Sequence, residues 1–195
     1  MKISRTTCRA FRMPLKQAFS SARVTMTHRE MVLVEIETES GERGTGWCTT
    51  AGVGAASVQA LIVGYLAPML TGADPRNTEQ LWQRLWMECH AAGPAGITTL
   101  AVSAIDIALW DLKAKLAGEP LHRMLGGARQ SVEVYASAIN LHLSQDELVD
   151  QVRQQRAEGY KSFKLKVGRQ GLDEDRDRCL AVREVIGPEC ILMLD

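Results

Sequence analysis

Two lysines one residue apart sit in an otherwise apolar run, Phe163-Lys164-Leu165-Lys166-Val167-Gly168, and an aspartate, Asp195, follows a second apolar run, Ile191-Leu192-Met193-Leu194. Amines held side by side repel, and partial burial disfavours the charged form, so a lysine in such a place is driven toward its neutral state. A neutral amine can accept a proton. On a strand, Lys164 and Lys166 share one face while Phe163, Leu165 and Val167 share the other. Taken alone, that pattern describes a strand with its lysines in water. The elements around it decide otherwise.

Residues 131 to 140, SVEVYASAIN, are expected to form a strand and residues 144 to 160 a helix, with Ser144 at its cap and Glu147 three positions on as a capping box. SFKLKVG is the next strand. DEDRDRCLAVREVIG is a helix with acids in its first turn and Arg183 near its last, and CILMLD is a strand. Strands alternating with helices through tight connections indicate parallel βαβ units. Crossover helices cover the outer face of a parallel sheet, so the apolar residues belong there and the lysines point away from the helices. In a closed (β/α)8 barrel that direction is the interior, and chemistry collects at the C-terminal strand ends. Asp195 follows Lys166 by 29 residues, about one βα unit, so the amines and the carboxylate are expected at one rim. A strand-end carboxylate is a hard oxygen ligand for Mg2+, which favours loss of a proton from the carbon beside a carboxylate. One carboxylate is too few for a metal site, and further ligands are expected from strands beyond Asp195.

The first half reads differently. Residues 31 to 47, MVLVEIETESGERGTGW, alternate through Val32, Val34 and Ile36 and turn at ESGERG, where Gly41 and Gly44 can take positive φ; an antiparallel hairpin is expected. Residues 16 to 30, polar and rich in Ser and Thr, are expected to be a loop, mobile or functional as a lid. Residues 55 to 117 are expected to be mostly helical, with a start at Ser57, a stop near Pro68, a restart capped by Asn77, and a long helix ending at Gly118. Its buried stripe is expected at Leu100, Ala104, Ile107, Ala108 and Leu112. The fold class expected is an N-terminal α+β capping domain, 1–127, followed by the first strands of a modified (β/α)8 TIM-like barrel, 128–195, truncated, with an exposed sheet edge to be continued.

Twenty-three basic and 23 acidic side chains, interleaved along the chain, argue against nucleic acid as a partner. The longest apolar stretch, near 58 to 70, is broken by Gln59, Gly64 and Pro68, which argues against a membrane span. Five scattered cysteines without zinc-ligand spacing fit a reduced, cytoplasmic setting. The four tryptophans are expected in core or interdomain packing.

The KxK strand Lys164-Leu165-Lys166, the strand ending in Asp195 and the helix AIDIALWDLKAKLAGEPLHRMLGG at 104 to 127 together resemble the enolase superfamily, and within it the mandelate racemase and muconate lactonizing enzyme-like members. The resemblance spans essentially the whole chain. It implies Mg2+-assisted abstraction of the α-proton of a carboxylate, with Lys166 as base, Lys164 as the lysine beside it and Asp195 as the first of three metal-binding acids. It also implies a homo-oligomer assembled through capping domains. HAAGPAGITTLAVSAIDIALWD and VYASAIN are further similar to acid-sugar dehydratases acting on galactarate or talarate. A racemase, epimerase or cycloisomerase using the same first step is the alternative, and an inactive N-terminal fragment of such an enzyme is another. His28, Thr49 and Ser137 are candidate contacts to the acid sugar, against an equal expectation that His28 is a solvated loop histidine.

Overall fold

A computed structural model of the chain describes residues 1–20, 25–50, 52–139, 141–169 and 171–195. They fall into two units, one of residues 1–14 and 28–128 and the other of 15–27 and 129–195. Strands β1 (Ile3–Ser20), β2 (Thr25–Thr38) and β3 (Arg43–Thr50) lie side by side in that order, the first unit holding β3, β1 up to residue 14 and β2 from residue 28. Strands β2 and β3 pair antiparallel, from Glu30 opposite Thr50 to Glu37 opposite Arg43. Val32, Val34 and Ile36 point from β2 into the core, as their alternation requires.

The expected loop over 16 to 30 is instead largely strand. Its described residues continue β1 and β2, and Thr25, Thr27 and Arg29 are exposed. Paired backbone satisfies itself in such a ribbon without an apolar face, so polar composition did not exclude a strand.

Helices α1 (Ala55–Leu61) and α2 (Ala67–Leu70) flank a single wide turn at Ile62–Leu66, followed by α3 (Thr78–Cys89), α4 (Ile97–Ala117) and α5 (Leu121–Met124). The first begins at Ala55, two residues ahead of Ser57; Gly54 precedes it without a side chain to cap it, and the Glu30 carboxylate accepts from the Ala55 N–H at 3.1 Å instead. Pro68 does not end it: a proline lacks the N–H that would bond back one turn, and the wide turn before it absorbs that loss.

Gly44 and Gly46 are where β3 meets α4. A Cβ on Gly44 would lie 2.2 Å from the Ala108 carbonyl oxygen, and one on Gly46 2.1 Å from that of Ala104. Gly41 takes the positive φ of the hairpin turn, at 94°, whereas Gly44 does not; its glycine is demanded by the helix lying on it. Against this contact α4 buries Ala101, Ala104, Ile105, Ala108, Leu109 and Leu112, while Ile107 is exposed and Leu100 only half-buried. The helix is apolar on most sides near its middle, so spacing alone left its rotation open. Docking on the glycines fixes it. Asp111 and Lys115 complete the seam, the carboxylate accepting from the Thr45 backbone N–H at 2.7 Å and the ammonium donating to the Arg43 carbonyl at 3.1 Å.

The second unit carries β4 (Ala136–Ile139), α6 (Gln145–Ala157), β5 (Ser162–Leu165), α7 (Leu172–Ile186) and β6 (Ile191–Leu194), with β5 central in a parallel sheet. The strand expected from 131 begins only at Ala136, which pairs with Phe163; Val132 and Val134 are exposed and precede the ladder, so no burial of their side chains favours extending the strand back to them. Ser144 and Glu147 form the capping box that starts α6. Phe163 and Leu165 are fully buried with Leu148 and Val152 of α6 and Val182 and Ile186 of α7. The helices therefore take the apolar face of β5, and the lysines take the other.

Candidate active site at the strand ends

Lys164 lies within β5, Lys166 directly follows it, and Asp195 directly follows β6. The ladder outlasts the regular strands. The Asp195 N–H donates to the Leu165 carbonyl at 3.0 Å, and the Val167 N–H to the Asp195 carbonyl at 2.9 Å, so Lys166 is bracketed by backbone bonds to the neighbouring strand end. This register brings Lys164 Nζ to 3.1 Å and Lys166 Nζ to 3.8 Å from the same Asp195 oxygen, Oδ2. Both amines are partly shielded, at 30% and 25% exposure. The hydrogen bond from Lys164, its charge, and the more distant Lys166 together hold the Asp195 carboxyl below the usual carboxylate range. It is therefore an anion at neutral pH.

Beyond Lys166 the chain turns at Gly168, with φ 111°, and the carboxylate of Asp175 in the first turn of α7 accepts from the backbone N–H groups of Gly168 at 2.7 Å and Arg169 at 3.1 Å. The Arg169 guanidinium pairs with Glu174 and donates to the carbonyls of Leu141 and Leu143, the latter at 2.8 Å. Arg178, buried in α7, also donates to Leu143, at 2.8 Å, and burial pulls its guanidinium below the usual arginine range. The sequence offered only a weak sign of Asp175 and Arg169: acids in a first helical turn fit dipole compensation equally well.

Ser137 follows the buried Ala136 on β4, is exposed, and accepts through its carbonyl from Gln155 Nε2 at 3.2 Å. His28 and Thr49 belong to the first unit. His28 is half-buried in β2, with Nε2 2.8 Å from Arg12 Nη2 and 3.1 Å from the Gly52 carbonyl oxygen. It is a strand residue with partners rather than a solvated loop histidine. Thr49 is exposed on β3, opposite Met31. The structure thus gathers Lys164, Lys166 and Asp195, and sets Ser137 in the same sheet.

Asp195 fits a metal as one hard, anionic oxygen donor; among the described residues no three His, Cys, Asp or Glu side chains cluster as a metal site. Nor, among them, is any helix long and apolar enough to cross a membrane. All five cysteines are free thiols, and burial, with Cys48 nearby, pushes Cys8 up to about 11. Trp82 and Trp86 stack with centroids 5.4 Å apart, Trp110 carries Lys113 over its ring, and Trp47 is half exposed on β3.

A strand-end lysine pair facing a carboxylate, below an α+β unit in sequence, defines a class. Residues 3–126 match the sequence model of the mandelate racemase/muconate lactonizing enzyme N-terminal domain, and residues 147–195 match that of the enolase C-terminal domain-like family. The chain belongs to the mandelate racemase and muconate lactonizing enzyme family of the enolase superfamily. It is 39% identical over 194 residues to a 3,6-anhydro-α-L-galactonate cycloisomerase of Streptomyces coelicolor, covering 99% of this chain and 54% of that protein. The crystal structure of a racemase from Streptomyces coelicolor with bound magnesium superposes with a TM-score of 0.95 at 39% identity, covering 99% of this chain and 54% of that one. That of L-talarate/galactarate dehydratase from Salmonella typhimurium, liganded with Mg and L-lyxarohydroxamate, gives 0.94 at 33% identity, covering 100% and 51%. The chain spans about half the length of the curated relatives it matches.

Proposed function

We propose that this chain provides the base, Lys166, and the first metal-binding carboxylate, Asp195, of an Mg2+-dependent lyase that removes the α-proton of an acid-sugar carboxylate and dehydrates it, with a hexarate such as galactarate or talarate as substrate. The observation that carries the reading is the convergence of both amines on Asp195 Oδ2, at 3.1 and 3.8 Å, on the strand face opposite the helices. Residues 1–127 act as the capping domain and 128–195 as the opening of the barrel, and His28, Thr49 and Ser137 contact the sugar acid.

Lys166 receives the proton. Lys164 stands beside it with its ammonium hydrogen-bonded to Asp195, adding positive charge where the substrate carboxylate is held. Bound Mg2+ would supply Lewis-acid polarisation of that carboxylate, with Asp195 as one of its ligands.

A second reading is favoured by identity: the cycloisomerase of Streptomyces coelicolor, at 39%, and a D-galactarolactone cycloisomerase of Agrobacterium fabrum, at 38%, match at least as well as the talarate/galactarate dehydratase, at 35%. It shares the first proton abstraction and differs in what leaves. The test is incubation of the full-length protein that carries this segment with Mg2+ and galactarate, talarate and galactarolactone in D2O. Dehydration of a hexarate to a 2-keto-3-deoxy acid is expected, with solvent deuterium at the new methylene carbon of the product and, where abstraction reverses, at the α-carbon of recovered substrate. Conversion of the lactone alone selects the cycloisomerase, and no reaction or exchange with any acid sugar refutes the base assigned to Lys166.

A further inference from the structure

We propose that Asp175, together with Arg169, is a positioning residue for Lys166: a strap that fixes the turn from which the base projects. The inference rests on the proton-abstracting role given to Lys166 above. Lys166 lies outside the regular strand, on three residues of chain that run into a glycine turn with positive φ. Such a segment has no helix or full ladder to hold it, yet a base must be placed to within a fraction of an ångström to act.

On the β6 side the backbone is held by the bonds between Leu165, Val167 and Asp195. On the other side β4 pairs with β5 as far as Ile139 opposite Leu165, one residue before the base, and Asp175 takes hold of the turn two residues after it. One oxygen, Oδ2, accepts from both Gly168 and Arg169, the two residues that reverse the chain after the base. The other, Oδ1, is buried without a hydrogen-bond partner among the described residues. Burying a carboxylate oxygen is unfavourable, so something must hold the side chain inward. A side chain retained for capping alone could rotate outward to water; this one is kept inward by its grip on the turn.

Arg169 extends the strap sideways. Its backbone N–H is held by Asp175 while its guanidinium pairs with Glu174 and reaches the carbonyls of Leu141 and Leu143, in the segment between β4 and α6. Arg178 meets the same Leu143 carbonyl from within the core. The segment that follows β4 and the turn that follows Lys166 are therefore tied to one helix start. A shift of the α7 N-terminus moves both.

The full-length protein carrying this segment is the material for the test, with Asp175→Ala, Asp175→Asn and, as an independent cut, Arg169→Gln. Asp175→Ala is expected to lower kcat for exchange of the substrate α-proton by about a hundredfold, the scale of a misplaced catalytic group, with KM changed less than about twofold. Asp175→Asn, whose amide oxygen still accepts from both N–H groups, should recover most of the loss. Arg169→Gln should show the same split between kcat and KM. Unchanged kcat in both Asp175→Ala and Arg169→Gln, or a rise in KM alone, would overturn the strap. Two further readouts stand apart from turnover: hydrogen exchange at the Gly168 and Arg169 amides, and the NMR signal of the Lys166 Cε, assigned by its loss in Lys166→Ala. Both should change in Asp175→Ala, and in Arg169→Gln if Asp175→Ala fails to fold. If wild-type protein exchanges no acid-sugar proton, the proposed function fails while these signals still decide whether Asp175 holds the base; signals identical to wild type reject it.

Discussion

Lys166 Nζ and Asp195 Oδ2 stand 3.8 Å apart although 29 positions separate the two residues in sequence, and the two share a backbone bracket through Leu165 and Val167. Their closeness is fixed by strand register and not by the ion pair itself, since a partly exposed pair contributes little to stability. The base role proposed for Lys166 accounts for two amines crowding one carboxylate there.

Replacing Lys166 by alanine in the full-length protein should reduce exchange of the substrate α-proton by roughly 10²- to 10⁴-fold, the range for loss of a general base. Magnesium affinity, measured by calorimetry, should remain nearly unchanged. Retained exchange would remove Lys166 from the reaction.

Asp195→Asn should weaken Mg2+ binding by at least about tenfold, a change that even the outer partners of metal ligands produce. The carboxyl itself should titrate, by carbon NMR, below the ordinary aspartate value of about 3.9. Because its folded-state pKa is depressed, its contribution to stability is present above the unfolded value and is lost only as pH falls through the lower folded value. A midpoint at or above the ordinary value would contradict the paired geometry.

Gly46→Ala should destabilise the first unit by at least about 1–3 kcal/mol in urea denaturation, because its new methyl meets the Ala104 carbonyl, a backbone atom that cannot step aside. Gly64→Ala is the opposite case. Gly64 lies in the helical run without positive φ and with nothing near its absent Cβ, so alanine should stabilise by about 0.4–1 kcal/mol. Equal effects at the two sites would refute the close approach of β3 and α4.

Asp106 on α4 is pushed above the usual carboxylate range, first by burial and then by Glu79. A raised carboxyl favours the folded state while protonated, and this advantage is lost as pH rises through its folded value. Asp106→Asn should therefore raise the thermal midpoint at pH 7, with the gain shrinking as pH is lowered. A gain independent of pH would assign the effect to something other than this charge.

The sequence alone carried the alternation of β5, the capping box at Ser144 and Glu147, the stop at Gly118 and the strand-end place of Asp195, because each is set by residues within a few positions of one another. Local pattern likewise sufficed to assign the lysines to the face away from the helices, once the βαβ order was read. The rotation of α4, the reason for glycine at 44 and 46, the strand character of much of 16 to 30 and the grip of Asp175 on Gly168 and Arg169 emerged only in three dimensions. Each depends on a contact beyond the reach of local pattern, across segments far apart in the chain for α4 and the glycines and across the turn into α7 for Asp175, where the partner's backbone, and not the residue's own propensity, sets which conformation has the lower free energy.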